Sequence, residues 1–207
     1  MTAAQQNPRQ RRPYAARMPL EQRRTELLDA ALRLISRDGY NAISMEAIAR
    51  EAGVTKPVVY GAFPQLTDLL GELLDRTQTL ALNQLLSAMP HGGPRDPAGR
   101  GAEIAAVWAK TVTDSPETWV PILLAGETAP PVVLKRIEQG RALVRSAIVD
   151  LLGGAKGPDG PRNQLAAHAL IAVAEHIGRL LLRDPKSVPL DALTELAGAL
   201  SSAVARA

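Results

Sequence analysis

The chain has 207 residues, no cysteine, 46% hydrophobic and 22% charged residues, and a formal net charge of +3. That length suits one large domain or two small ones with a sizeable core, and the composition fits neither a wholly disordered chain nor a membrane protein. The missing thiol removes disulfide frameworks, thiolate nucleophiles and cysteine-ligated zinc together.

Charge is unevenly placed along the chain. Residues 1–64 carry 10 Lys and Arg against 6 Asp and Glu, whereas residues 65–207 carry 14 against 15. A front end that meets a polyanion and a rear part with another task are expected from this asymmetry. Residues 1–19 hold Arg9, Arg11, Arg12 and Arg17 and no acid, and are read as a disordered basic arm. No apolar stretch follows those arginines and no long uninterrupted apolar run occurs, so neither a secretory signal nor a membrane partner is expected; the cytoplasm is the expected compartment.

After the arm, apolar residues recur at intervals of three and four, which predicts an all-α chain. Helix 1 is expected over about Leu20 to Arg37, stopped by Gly39. Helix 2 follows the capping Ser44 and ends at Gly53; short helix 3 opens at Thr55, with Pro57 in its first turn, and closes near Phe63. Helix 4 is expected from about Leu66 to Ala88, and helix 5 from about Pro97 to Thr113. Helix 6 begins with Pro116 behind a cap at Asp114 or Ser115. Helices 7, 8 and 9 are expected at about Pro131 to Leu152, Pro161 to Arg183 and Pro189 to Ala205. Loops are expected at Pro90 to Gly101, which has seven Gly or Pro in twelve residues, and at Gly153 to Pro161, which has six in nine.

The strongest local signal is ISMEAIAREAGVTKPVVYGAF, residues 43–63. Two short helices joined by Ala52, Gly53 and Val54 make a helix-turn-helix, whose second helix projects into a DNA major groove. Ala49, Val54 and Val59 are expected to hold the helices together, leaving Lys56, Pro57, Val58, Tyr60 and Gly61 to face DNA. Ser44 and Thr55 complete the expected DNA-binding set. The Thr55 end of helix 3 suits a phosphate oxygen, Lys56 a guanine edge or a phosphate, and the Tyr60 hydroxyl a phosphate.

At these residues the chain resembles the tetracycline-repressor (TetR) family of bacterial transcription regulators. The resemblance covers roughly Arg24 to Leu70, through the alanines and leucines before Gly39 and Tyr40, the Ile48-Ala49 pair, Ala52-Gly53-Val54-Thr55, Tyr60, Phe63 and Leu69. It implies a three-helix DNA-binding domain over residues 20–65, followed over residues 66–207 by a larger helical domain that binds an effector and dimerises. The family commonly has lysine where Leu66 stands, so Arg23, Arg24 or the arm is expected to supply that phosphate contact.

The rear part shows no catalytic or metal constellation. His168 and His176 are eight residues apart, His91 sits in a Gly/Pro loop, and no phosphate loop or nucleophile elbow is present; an enzyme and a cofactor are not expected. In helix 7, Arg141 falls within the stripe Leu134, Ile137, Val144, Ile148 and Leu151 and needs a partner, Glu127 or Glu175. It is read either as part of a pocket or as one end of an internal salt bridge. Trp108 and Trp119 lie on helices that surround the ligand cavity in the resembling family. With His168 in a polar row beside Glu175 and Arg179, the candidate effector residues are Trp108, Trp119, Glu127, Arg141, His168 and Glu175. Ala167, Ile171, Ala174 and Gly178 on helix 8, with Leu193, Ala197, Leu200 and Val204 on helix 9, are lines on which two copies would pair.

The expected function is a homodimeric repressor of an inverted-repeat operator in double-stranded DNA, released when a small molecule enters between helices 5 and 8 and displaces helix 4. Gly71 would ease the bending of that helix. A 100-fold release needs about 2.7 kcal/mol of effector preference. A regulator without an effector and a helical protein-interaction scaffold remain as alternatives.

Overall fold

The computed structural model describes residues 18–88, 96–127, 129–153 and 160–206. The basic arm up to residue 17, His91, residues 90–95 and 154–159 of the two expected loops, and the Leu151 side chain lie outside the described residues. Among the described residues there are nine α-helices and no strand: α1 Leu20–Asp38, α2 Met45–Glu51, α3 Lys56–Ala62, α4 Leu66–Ala88, α5 Pro97–Asp114, α6 Pro116–Leu123, α7 Pro131–Gly153, α8 Pro161–Arg183 and α9 Leu190–Arg206. Two 3₁₀ turns, Tyr40–Ala42 and Pro185–Ser187, are too short to leave a period in the sequence.

Local chemistry sets most of these ends. The Ser44 hydroxyl accepts the Ala47 N–H at 3.0 Å to open α2, and the Asp96 carboxylate accepts the Gly99 N–H at 2.8 Å to open α5. Gly99 and Gly101, where the expected loop and the expected helix 5 overlap, therefore belong to α5. Gly39 (φ 77°) closes α1 and Gly53 (φ 65°) makes the turn between α2 and α3; both use left-handed backbone that other L-residues adopt only at a cost.

One buried cluster joins the front of the chain to its body. Leu27, Ala31, Leu34 and Ile35 of α1, Ile48 of α2, Val59 of α3, Phe63, and Leu69, Leu70, Leu73 and Leu74 of α4 pack together with Val120 of α6 and Val133 and Ile137 of α7. Tyr40 adds a polar link, its hydroxyl donating to the Pro121 carbonyl at 2.8 Å. That carbonyl lies in the last turn of α6, where helix carbonyls lack internal partners. Burial holds the Tyr40 phenol well above its ordinary pKa.

A second cluster sits farther from the front, with Ala81 of α4, Ala105, Ala109 and Val112 of α5, Trp119 and Leu123 of α6, Leu181 of α8 and Leu193 of α9. Here α5 and α9 run backbone to backbone. A Cβ on Gly101 would come within 2.6 Å of the Ala197 carbonyl oxygen, and one on Gly198 within 3.0 Å of the Ala98 carbonyl oxygen.

Three expected faces are turned differently. On α7 only Ile137 of the expected stripe is fully buried, while Leu134 and Val144 are exposed and Val133 and Val149 point inward. The reason is that α7 meets α4 beside Gly140, where Gln78 of α4 donates to the Arg136 carbonyl at 2.9 Å. On α8 the small-residue line faces the chain's own interior: Ala167 is fully buried, the Ala174 carbonyl accepts the Trp108 indole N–H, and Gly178 has room only for hydrogen against Leu123 and Trp108. Leu193 of the α9 line is likewise buried within the chain. The faces left exposed are Leu165, Ala169, Ala172 and Val173 on α8, and Leu196, Ala199 and Ala203 on α9. By length and composition α8 would suffice to cross a membrane, with a mean hydropathy of 1.5 over a window that is only 17% buried.

The close α5–α9 approach sets opposite outcomes for two helical glycines. Gly101→Ala gains about 0.5–1 kcal/mol of helix propensity but must displace a backbone carbonyl, which costs about 1–3 kcal/mol, so its melting temperature falls in a thermal scan. Gly71→Ala meets nothing nearer than Arg136 at 3.9 Å, and its melting temperature holds or rises.

Candidate nucleic-acid interface

Helix α3 is divided sharply between a buried and an exposed side. Val59 and Ala62 are buried against α1 and α2, whereas Lys56, Pro57, Val58, Tyr60 and Gly61 are exposed. Val58 and Tyr60 are large apolar side chains left at 38% and 52% exposure, a poor choice unless another surface covers them. Thr55 occupies the cap position of α3 without a side-chain hydrogen bond, so its hydroxyl is free of that duty. Ser44 is committed to capping α2.

Arg24 fixes the far end of α3. Its Nη1 donates to the Ala62 carbonyl at 2.6 Å, its Nε and Nη2 reach both oxygens of Glu72 on α4, and its guanidinium lies 4.1 Å from the Phe63 ring centroid. Four elements of attachment meet on one side chain, and Glu72 raises the guanidinium pKa further. Arg24 is thus spent inside the fold, and Arg23 pairs with Glu26 at 2.7 Å. Both arginines expected to supply a phosphate contact in place of a lysine at Leu66 are paired with carboxylates in the free chain. Spacing alone did not show that Glu72, two turns into α4, would come back to α1.

Behind the turn, Glu51 accepts from Arg33 at 3.0 Å and Arg37 at 3.2 Å, which lowers its pKa and ties α2 to α1. Lys56 pairs with Glu46 of α2 at 2.5 Å. Spacing in the sequence does not pair Glu46 with Lys56, ten residues on across the turn at Gly53.

Four of the six candidate effector residues come together as two pairs, and Glu127 and His168 stand apart from them. Trp108 and Trp119 stack edge to face with ring centroids 4.7 Å apart. The Trp108 N–H is satisfied by the Ala174 carbonyl at 3.0 Å, while the Trp119 Nε1 is buried with no acceptor among the described residues. Arg141 donates to both oxygens of Glu175 at 2.6 and 2.9 Å, and Arg179 approaches the same carboxylate at 3.6 Å. Of the two partners expected for Arg141 the fold selects Glu175; Glu127 and His168 are exposed. Two open grooves, one beside Arg33 and Glu117 and one beside Gln84 and Lys110, are lined by none of the six.

This division of α3 gives a direct check. Lys56→Ala and Tyr60→Phe remove exposed groups and leave the melting temperature within about a degree or two of the parent while duplex affinity falls. Val59→Ala opens a cavity and costs about 1–2 kcal/mol in denaturant unfolding.

Comparison with known proteins agrees with this geometry. Residues 27–73 match the family described as "Bacterial regulatory proteins, tetR family". The chain is 26% identical over 181 residues to the HTH-type transcriptional activator FasR of Mycolicibacterium smegmatis, covering 86% of this chain and 81% of the relative. It is 41% identical over 56 residues to the HTH-type transcriptional repressor KstR of Rhodococcus jostii, covering 27% and 26% of the two chains. The fold is similar to a TetR-like transcriptional regulator from Rhodococcus sp. RHA1, with a TM-score of 0.69 and 21% identity over 89% of this chain and 96% of that one. Residues 27–73 are thus a segment of the tetR-family type carrying the helix-turn-helix, and the chain as a whole shares the all-α fold of TetR-like transcriptional regulators.

Proposed function

We propose that the protein is a homodimeric repressor that occupies an inverted-repeat operator and is released by a small-molecule effector. Residues 20–65 form the DNA-binding unit, residues 66–207 the effector and dimerisation unit, and the cytoplasm is where such a protein meets its operator. The observation that carries the reading is the exposed side of α3, with Lys56, Val58 and Tyr60 outward above a fully buried Val59. Pro57 and Gly61 share that side and keep it flat enough for a groove, and the Thr55 hydroxyl stands at its start.

Dimerisation rests on the outer face of α8. Leu165 is 71% exposed and lies on the same side as Ala169, Ala172 and Val173. A second copy covers such a face symmetrically, since two-fold interfaces present the same patch from each partner. The exposed α9 residues Leu196, Ala199 and Ala203 extend it. On α8 the proposed pairing face is opposite to the small-residue line read from the sequence, and on α9 it lies roughly a quarter turn round from the apolar line.

For the effector, the supporting feature is the unpaired Trp119 N–H within an apolar cluster, because a buried donor without an acceptor is costly unless something fills the role. Trp108 borders it, and the Arg141–Glu175 pair lies on the neighbouring face of α8. Displacement of α6 or α8 by a ligand reaches α3 through α4, which packs in both buried clusters. The FasR relative is named an activator and KstR a repressor; for this chain repression is proposed.

The test is selection of bound duplexes from a random pool by the purified full chain, with sedimentation of the free protein. A recovered inverted repeat bound at least about 10³ times more tightly than random duplex, by a two-chain species, supports the proposal. Leu165→Glu combined with Val173→Glu is expected to yield monomers that lose the repeat but keep the helical circular dichroism. A monomeric parent chain, or Lys56→Ala with Tyr60→Ala that leaves regulation in the cell unchanged, favours a scaffold instead.

A further inference from the structure

Helix α3 carries a single charged residue, Lys56. In the free protein its ammonium stands 2.5 Å from the Glu46 carboxylate of α2, with both side chains more than half exposed. Lys56 holds the Glu46 carboxyl below the usual carboxylate range, with Arg50 a smaller contributor, so that carboxyl stays ionised at working pH. The cation expected to reach DNA is thus already matched by an anion beside it.

Random duplex attracts a protein almost wholly through its phosphates, by exchange of counterions for protein cations. A lysine held by a carboxylate offers little to that exchange: to use it, DNA must part the pair and accept a carboxylate close to its own negative backbone. Only an amino group on a base edge, cytosine N4 or adenine N6, gives a carboxylate a favourable partner in the major groove. Such a group is fixed in position by sequence, whereas phosphates are everywhere. A feature that penalises the wrong partners more than the right one produces specificity without raising affinity.

We propose that Glu46 is a specificity-determining residue, which withholds Lys56 from arbitrary phosphates and is relieved only where a cytosine or adenine amino group stands at its place in the half-site. The proposal rests on the reading that α3 faces DNA. It also assigns a use to α2, whose other acid, Glu51, is turned back to Arg33 and Arg37 of α1.

The experiment compares the full-length parent chain with Glu46→Gln, an exposed substitution of equal size. Fluorescence anisotropy reads binding to a random-sequence duplex pool of about 30 base pairs across about 0.05 to 0.3 M salt, and selection from the same pool reads sequence preference. Glu46→Gln is expected to bind random duplex about fivefold more tightly at about 0.15 M salt, with a log–log salt slope steeper by about one. Preference for the selected repeat over random duplex falls about tenfold, a fixed cytosine or adenine is lost from each half-site, and the melting temperature does not move. Adding Lys56→Gln abolishes the gain, because the two residues act as one pair. Unchanged or weaker binding of random duplex by Glu46→Gln overturns the proposal, as does a gain that survives Lys56→Gln. A parent chain that binds no duplex overturns it together with the reading beneath it, and is told apart because the failure precedes any substitution.

Discussion

The structure depends on α4 being shared. Its residues Leu69, Leu70, Leu73 and Leu74 are buried with side chains from α1, α2 and α3, while Ala81, two turns farther on, is buried with α5, α6, α8 and α9. A continuous helix is stiff over this distance, so neither end moves without the other. The reading helix and the body are therefore one mechanical object, joined further by Tyr40 on Pro121, Arg76 on Asp29, and Arg24 on Glu72. None of these polar links need contribute more than about 1–2 kcal/mol, but each fixes the orientation of α1 or α3 against the body in a way apolar packing alone does not.

The front of the molecule shows how sparing its electrostatics are. Among the described residues of the front, five of six cations are paired: Arg24 with Glu72 and the α3 carboxyl end, Arg33 and Arg37 with Glu51, Arg23 with Glu26, Lys56 with Glu46. Net positive charge over residues 1–64 consequently overstates the charge α2 and α3 present to a polyanion. Hydrophobic and hydroxyl groups, Val58, Tyr60 and Thr55, make up the rest of the exposed α3 side. A surface of that kind gains little from phosphates in general and more from a fitted groove.

The helices were legible because their signals are local. Pro97, Pro116 and Pro161 open helices, Ser44 caps one, Gly39 and Gly53 punctuate the turns, and the structure places the expected ends within a residue or two. The helix-turn-helix was equally legible, since its residue types are set by contacts inside a stretch of about twenty residues. Orientation was not. Ala167, Ala174 and Gly178 have the spacing of a close helix contact whether that contact lies within the chain or between chains, and only the position of Trp108 and Leu123 decides for the former. The partners of Arg24 and Lys56 were not legible for the same reason: Glu72 is far from Arg24 in sequence, and the approach of Glu46 to Lys56 depends on how α2 and α3 cross at Gly53. Among the candidate effector residues, the sequence named Glu175 as a partner for Arg141 but not the choice between it and Glu127, which required the packing of α7 on α8.

The central claim is that two copies of α3, held apart at a fixed distance by a paired body, read one face of a duplex. Hydroxyl-radical footprinting of the full chain on its selected duplex tests this most directly. Two protected patches related by a two-fold axis, with centres about 10 base pairs or a multiple apart, are the predicted result. A single patch, or even protection that follows the protein wherever it binds, would contradict it.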